Sequence, residues 1–181
     1  MSLMPDRHTL AETEKAMREH VSDLPLNFPA AAAVSSLYRA ANAVRVHLTN
    51  SVLRKHGLTW TGFVVLWVVW IWDGLETRRA AESAAISKAT LTGVVKTLEA
   101  RGLMTRRISD IDRRLVNLEL TPAGVALMKE LYPVFNAAEA EVVAGLSPRG
   151  LAQLTNSLRS IVTELETKPT AIVAEVEAEA S

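Results

Sequence analysis

Residues 86–124 read ISKATLTGVVKTLEARGLMTRRISDIDRRLVNLELTPAG, and the rhythm of their apolar residues changes halfway along. In the first half Leu91, Val94, Val95 and Leu98 recur at three- and four-residue steps, which predicts a helix with one inward stripe. Ser87 stands where an N-cap hydroxyl is wanted, and Gly102 where the chain leaves the helix in a left-handed conformation. Lys88, Thr92, Lys96 and Glu99 are left facing outward. Beyond Gly102, the stretches Leu103–Ile108 and Leu115–Leu120 take up a two-residue rhythm: Val116, Leu118 and Leu120 alternate with Asn117 and Glu119. The largely polar SDIDRR between them is too long for a tight turn, so the pair of strands forms a hairpin with a protruding basic tip.

The flanking sequence supplies helices on both sides. Downstream, Thr121–Pro122 is an N-cap and first-turn pair opening a long helix to about Ala144, with Val125, Leu127, Leu131, Val134, Phe135 and Ala138 apolar. Ser147–Pro148 repeats that signal and starts a final helix in which Leu151, Leu154, Leu158, Ile161 and Leu165 make a heptad seam suited to a partner helix. Upstream, TRRAAESA at 77–84 is a short helical stretch. Thr59 caps a helix over 60–72 whose apolar residues lie nearly all round it, which predicts burial on most sides. A helix from Ala30 to about Arg54, ended by Gly57, precedes it. The expected organisation is an N-terminal extension (1–29), a first scaffold helix (30–58), a winged helix-turn-helix lobe (59–120), C-terminal dimerisation helices (121–167) and an acidic tail (168–181). The fold class is mainly α, with a two-stranded β-wing and a helical dimerisation scaffold.

Composition excludes several functions. A chain of 181 residues holds about one domain and can bury a core unaided. It has no cysteine, so disulfides, thiolate metal sites and thiol switching are out. No P-loop, nucleophile elbow or zinc-protease motif occurs, the four histidines are scattered, and no cofactor or metal is expected. GFVVLWVVWIW at 62–72 is much shorter than the roughly 20 residues a bilayer span requires. The N-terminus mixes acids and bases where a secretory signal would be apolar, which predicts a cytoplasmic protein without a membrane partner.

A formal net charge of zero argues against a polyanion partner, yet the charges are unevenly spread. Between Arg78 and Arg114 nine bases face four acids, so the rest of the chain is correspondingly acidic. A basic module set in an acidic frame suits a reader of double-stranded DNA. Its groove-facing residues would be Ser87, Lys88, Ala89, Thr90, Thr92 and Lys96, small or hydrogen-bonding side chains at a helix N-terminus whose dipole attracts phosphate. Arg106 and Arg107 on the first wing strand and Arg113 and Arg114 at the tip, beside Asp112, would follow the backbone, and the tip arginines would enter a narrow minor groove. A winged-helix protein-interaction module without DNA binding is the alternative reading, and the local basic excess speaks against it.

The run from Ile86 to Gly124 resembles the MarR family signature: recognition helix, wing with a D-x-R element, and a Leu-Thr-x-x-Gly start to the next helix. The order of helices from about Ala30 to Leu165 fits that family too. The resemblance implies that Asp112 orients Arg114 for the minor groove, that the chain is a homodimer joined through its first and last helices, and that it reads a pseudo-palindromic operator. It also implies a repressor released by a small, often aromatic effector bound between the scaffold and the DNA-binding lobe. Core packing is the ordinary reading of Trp60, Trp67, Trp70 and Trp72; the effector reading draws on Trp60 and Trp67 with Tyr38, Arg39 and His47 of the helix before. Two positions depart from the pattern: Gly93 stands where many relatives carry an arginine, and Ala85 where the helix-turn-helix usually has glycine.

Overall fold

The structure, a computed structural model, describes residues 9–108, 112–113 and 115–167. The chain divides into two compact units, residues 1–125 and 126–181. The first holds helices α1 (Leu10–His20), α2 (Phe28–Ser51), α3 (Trp60–Ile71), α4 (Thr77–Ser83) and α5 (Lys88–Ala100), with strands β1 (Leu75–Glu76), β2 (Met104–Ile108) and β3 (Val116–Leu120). Helix α6 (Pro122–Val142) begins at its end, and α7 (Pro148–Thr167) lies in the second unit. Among the described residues no helix is long and apolar enough to cross a membrane.

The first scaffold helix starts two residues earlier than its alanine run suggests. Asn27 accepts a hydrogen bond from the Ala30 N–H at 3.1 Å, and Pro29 fits the first turn, where its missing N–H has no intrahelical partner to lose. The helix ends at Ser51, and a 3₁₀ turn (Leu53–His56) finishes the segment. Of its 24 residues only Leu48 is buried. By contrast α3 buries Phe63, Val65, Leu66, Val68 and Val69, each aliphatic side chain contributing about 1.5–3 kcal/mol. Core packing, the ordinary reading of the tryptophans, fits three of them in part and fails for Trp72. Trp60, Trp67 and Trp70 are half-buried and Trp72 is 66% exposed, because the compact β-branched residues and Leu66 occupy the face against α4, α5 and β3.

The wing is a three-stranded antiparallel sheet in the order β1-β3-β2, where the sequence predicts two strands. Leu75 pairs with Leu118 and Glu76 with Asn117. Two residues cannot display a period of two, so β1 leaves no pattern to read. The β2–β3 register, Met104 to Leu120 through Ile108 to Val116, puts Met104 and Leu118 on the buried side. In α6 the buried stripe is Met128, Leu131, Phe135 and Ala138, whereas the equally apolar Val134 is exposed. Pro133 sits within this helix and removes the hydrogen bond to the carbonyl four residues back.

Local geometry explains both departures and motifs. Helix α4 ends in a Schellman turn: the Ala85 N–H donates to the Glu82 carbonyl and the Ile86 N–H to Ala81, both at 3.0 Å. Ala85 takes the left-handed position of that turn, φ 51°, where an L side chain is strained. Gly102 fills the same position after α5 at φ 68° without strain. Gly124 meets a different demand, since a Cβ there would collide with the Leu103 backbone carbonyl, which has no rotamer to change. Replacing Ala85→Gly should therefore raise stability by about 1 kcal/mol, and Gly124→Ala should lower it by roughly 1–3 kcal/mol. Urea unfolding followed by circular dichroism checks both signs.

Candidate nucleic-acid interface

Helices α4 and α5 and the turn at residues 84–87 form the helix-turn-helix. Ser87 Oγ accepts the Thr90 N–H at 3.1 Å and lies 2.8 Å from Thr90 Oγ1, a cap worth about 1 kcal/mol to the helix. The neighbouring first-turn N–H groups have no intrahelical acceptor and point out of the helix end, a positive pole for phosphate. Along the outer face Lys88, Ala89, Thr90, Thr92, Gly93 and Lys96 are all exposed, while Leu91, Val95 and Leu98 are buried beneath. Thr92 Oγ1 donates to the Lys88 carbonyl at 2.9 Å, so what it offers a ligand is its acceptor lone pair. At Gly93 a Cβ would meet nothing within 4 Å. The missing side chain is thus a property of the surface, and packing does not require it.

Alternation along β2 sends Arg106 and Arg107 to opposite faces of the wing. Arg106 Nη2 lies 3.3 Å from Glu99 Oε2 on α5, an ion pair that fastens wing to helix. Arg107, Asp112 and Arg113 are exposed. The Asp112 carbonyl accepts the Leu115 N–H at 2.9 Å. Arg114 lies outside the described residues, as does Asp110. Two further bases of the module are engaged within the lobe. Arg78 Nε donates to Glu82 at 2.8 Å, and that hydrogen bond, then the carboxylate's charge, raises the pKa of the guanidinium. Arg101 donates to the His56 and Gly57 carbonyls.

Sequence reasoning missed three ties that hold this surface together. Thr77 Oγ1 donates to the Val116 carbonyl at 2.7 Å, joining the first helix of the motif to the wing. Arg101 and the Arg106–Glu99 pair are the others. None has a local signal, since their partners are 39, 44, 45 and seven residues away and the fold alone brings them close.

The five residues expected around an effector do not form one site within the chain. Tyr38 is 79% exposed, and Arg39 and His47 line a shallow groove along α2 with Asn42, Val46 and Asn50. Trp60 lines an adjoining cleft of about 390 Å³ with Arg45, Thr49 and Arg54, which shares Val46 and Asn50 with that groove, and its ring lies 6.5 Å from that of Phe63. Trp67 lies two turns further along α3 and lines neither. The residues expected to dimerise, Leu151, Leu154, Leu158, Ile161 and Leu165, share one face of α7, a helix that buries none of its residues. Among the described residues no cluster of three or more histidines or carboxylates could hold a metal.

Comparison with known proteins agrees with this architecture. The profile of the MarR family matches residues 58–116. The uncharacterised HTH-type transcriptional regulator YwaE of Bacillus subtilis is 39% identical over 142 residues, which is 78% of this chain and 83% of that protein. Among solved structures, BpsR of Bordetella bronchiseptica, described with regulation of its DNA binding by 6-hydroxynicotinic acid, is 28% identical with a TM-score of 0.66, over 72% of this chain and 98% of its own. A mutant MarR from E. coli complexed with operator DNA shares the fold, with a TM-score of 0.66 at 19% identity over 70% of this chain and 91% of its own.

The charge arrangement separates bases by their effect on salt dependence. For binding to duplex DNA, Lys96→Gln should make the slope of log K against log salt shallower by about 0.9 per subunit, as one phosphate contact is lost. Arg106→Gln should change that slope less, because Glu99 already neutralises the group. Fluorescence anisotropy with a labelled duplex over 50–200 mM salt, roughly the range in which such contacts are read, checks the order.

Proposed function

The chain belongs to the MarR family of DNA-binding transcription regulators, not enzymes, and from that premise we propose that it is a homodimeric repressor released by a small aromatic carboxylate. The observation that carries the DNA-reading part is the exposed face Ser87–Lys96 of a capped helix beside a basic wing. Two such helices in a symmetric dimer would enter major grooves about one helical turn, roughly 34–36 Å, apart on a pseudo-palindromic operator. Ser87, Lys88, Thr90, Thr92 and Lys96 contact the major-groove side, and Arg107, Arg113 and Arg114 the backbone and minor groove. With no side chain at Gly93, selectivity rests more on wing contacts, half-site spacing and DNA shape.

Dimerisation is supported by uncovered apolar surface. On α7 the seam residues Leu151, Leu154, Ile161 and Leu165 are 38–72% exposed, at a spacing that fits knobs-into-holes packing with a second copy. For the effector, the cleft between α2 and the start of α3 offers Arg45 and Arg54 for a carboxylate and Trp60 for a ring, and its volume suits a small ligand. The aromatic acid named for BpsR has that chemistry. A ligand in this cleft would change the spacing of the two recognition helices, so that both could no longer seat on one operator.

Three measurements test the reading. Duplexes selected from a random pool should bind with affinity that falls steeply with salt; binding absent at low salt, or insensitive to it, overturns the DNA assignment. Arg114→Ala should weaken that binding strongly and leave the dimer intact, whereas Leu158→Glu should give a monomer by sedimentation. Titration with 6-hydroxynicotinate should quench tryptophan fluorescence and release DNA, and Arg54→Gln should abolish both; an unchanged response removes the cleft as the effector site.

A further inference from the structure

Arg101 closes the recognition helix, yet its side chain leaves that helix altogether. Its Nη1 donates to the Gly57 carbonyl at 2.7 Å and its Nη2 to the His56 carbonyl at 2.8 Å, so both arms of the guanidinium fork grip the last turn after α2. That turn is a fixed post. Leu53 and Leu58 on either side of it are buried in the core, and the Leu58 N–H donates back to the Leu53 carbonyl at 3.0 Å. Gly57 closes that turn in the left-handed conformation, φ 63°, which presents its carbonyl and that of His56 to the guanidinium. Carbonyls at the end of a helical turn carry partial negative charge, which favours the cation that caps them.

From this geometry we propose that Arg101 is a positioning residue for DNA recognition: it fixes the tilt of α5 against the scaffold helix and contacts no phosphate. The proposal rests on α5 being the helix that reads DNA. Little else fills the gap on that side of α5, where residues Gly57–Thr59 and Gly62 face Gly93, Val94 and Thr97 across an open cleft of about 240 Å³. A helix of 13 residues is about 20 Å long. A tilt of about 10° at the anchored end therefore carries Ser87 and Lys88 through about 3 Å, well beyond the roughly 0.5 Å tolerance of a positioned hydrogen-bonding site. A contact far from the bases thus governs how well the bases are met.

The test compares wild type, Arg101→Gln and Lys96→Gln on one selected duplex, at a temperature where circular dichroism shows each to be fully folded. Arg101→Gln should bind about tenfold more weakly with the wild-type salt slope, whereas Lys96→Gln flattens the slope. Hydrogen exchange should quicken in Arg101→Gln at residues 53–58 and 98–103 together. A flattened salt slope in Arg101→Gln would make Arg101 a phosphate ligand and overturn the proposal. So would unchanged affinity with only a lowered unfolding midpoint, since the tie would then serve stability alone. Failure of the wild type to bind any duplex would instead count against the DNA reading, and the exchange data would still report whether the tie exists.

Discussion

Thr121 holds the end of the recognition helix from two directions at once. Its Oγ1 donates to the Gly102 carbonyl at 2.6 Å and its N–H to the Leu103 carbonyl at 3.1 Å, while the same hydroxyl oxygen accepts the Gly124 N–H at 3.1 Å and so opens α6. Helix α5, strand β2 and helix α6 therefore meet at one joint of backbone carbonyls. Gly124 is part of it, since only a residue without a Cβ can lie against the Leu103 carbonyl. The Leu-Thr-x-x-Gly motif is thereby explained as a close-packing requirement. With Arg101 gripping the turn after α2, the C-terminal end of α5 is anchored on two sides, and its N-terminal end is left to project.

Charge is divided along the same lines. The chain is neutral overall, and its basic lobe spends several cations inside itself: Arg78 on Glu82, Arg106 on Glu99, Arg101 on two carbonyls. The Arg78–Glu82 pair lies open to solvent, which screens it, so it adds little to stability. The consequence of the other two is geometric, because Arg106 ties the wing to α5 and Arg101 ties α5 to the turn after α2. Lys88 and Lys96 make no ion pair among the described residues and stay available to a polyanion. A base count therefore overstates how many charges face outward.

The apolar surface tells a similar story of incomplete burial. Helix α2 buries one residue of 24, and α7 none, although both carry apolar residues at helical spacing. In the helix-turn-helix lobe the reverse holds, since Leu66, Leu91 and Leu118 are fully enclosed. The lobe completes its own core, whereas α2 and α7 leave apolar side chains such as Val34, Leu154 and Leu165 exposed.

Sequence alone determined the recognition helix, its Ser87 cap, the wing strands and the starts of α6 and α7, because each rests on local signals: a hydroxyl before a helix, a glycine after one, a period of two or of 3.6. It also marked Ala85 and Gly93 as departures, and the left-handed φ at Ala85 and the open space at Gly93 give those departures their physical meaning. What it could not determine was anything set by two distant segments meeting. Strand β1 exists only because β3 offers it an edge, and Arg101 has partners only because the turn after α2 arrives beside it. The tryptophans show the same limit, for their spacing said nothing of which faces of α3 the smaller Val65, Leu66 and Val69 would take. Periodicity records how a segment meets itself, whereas hydrogen bonds across 39 to 45 residues are decided by the tertiary fold.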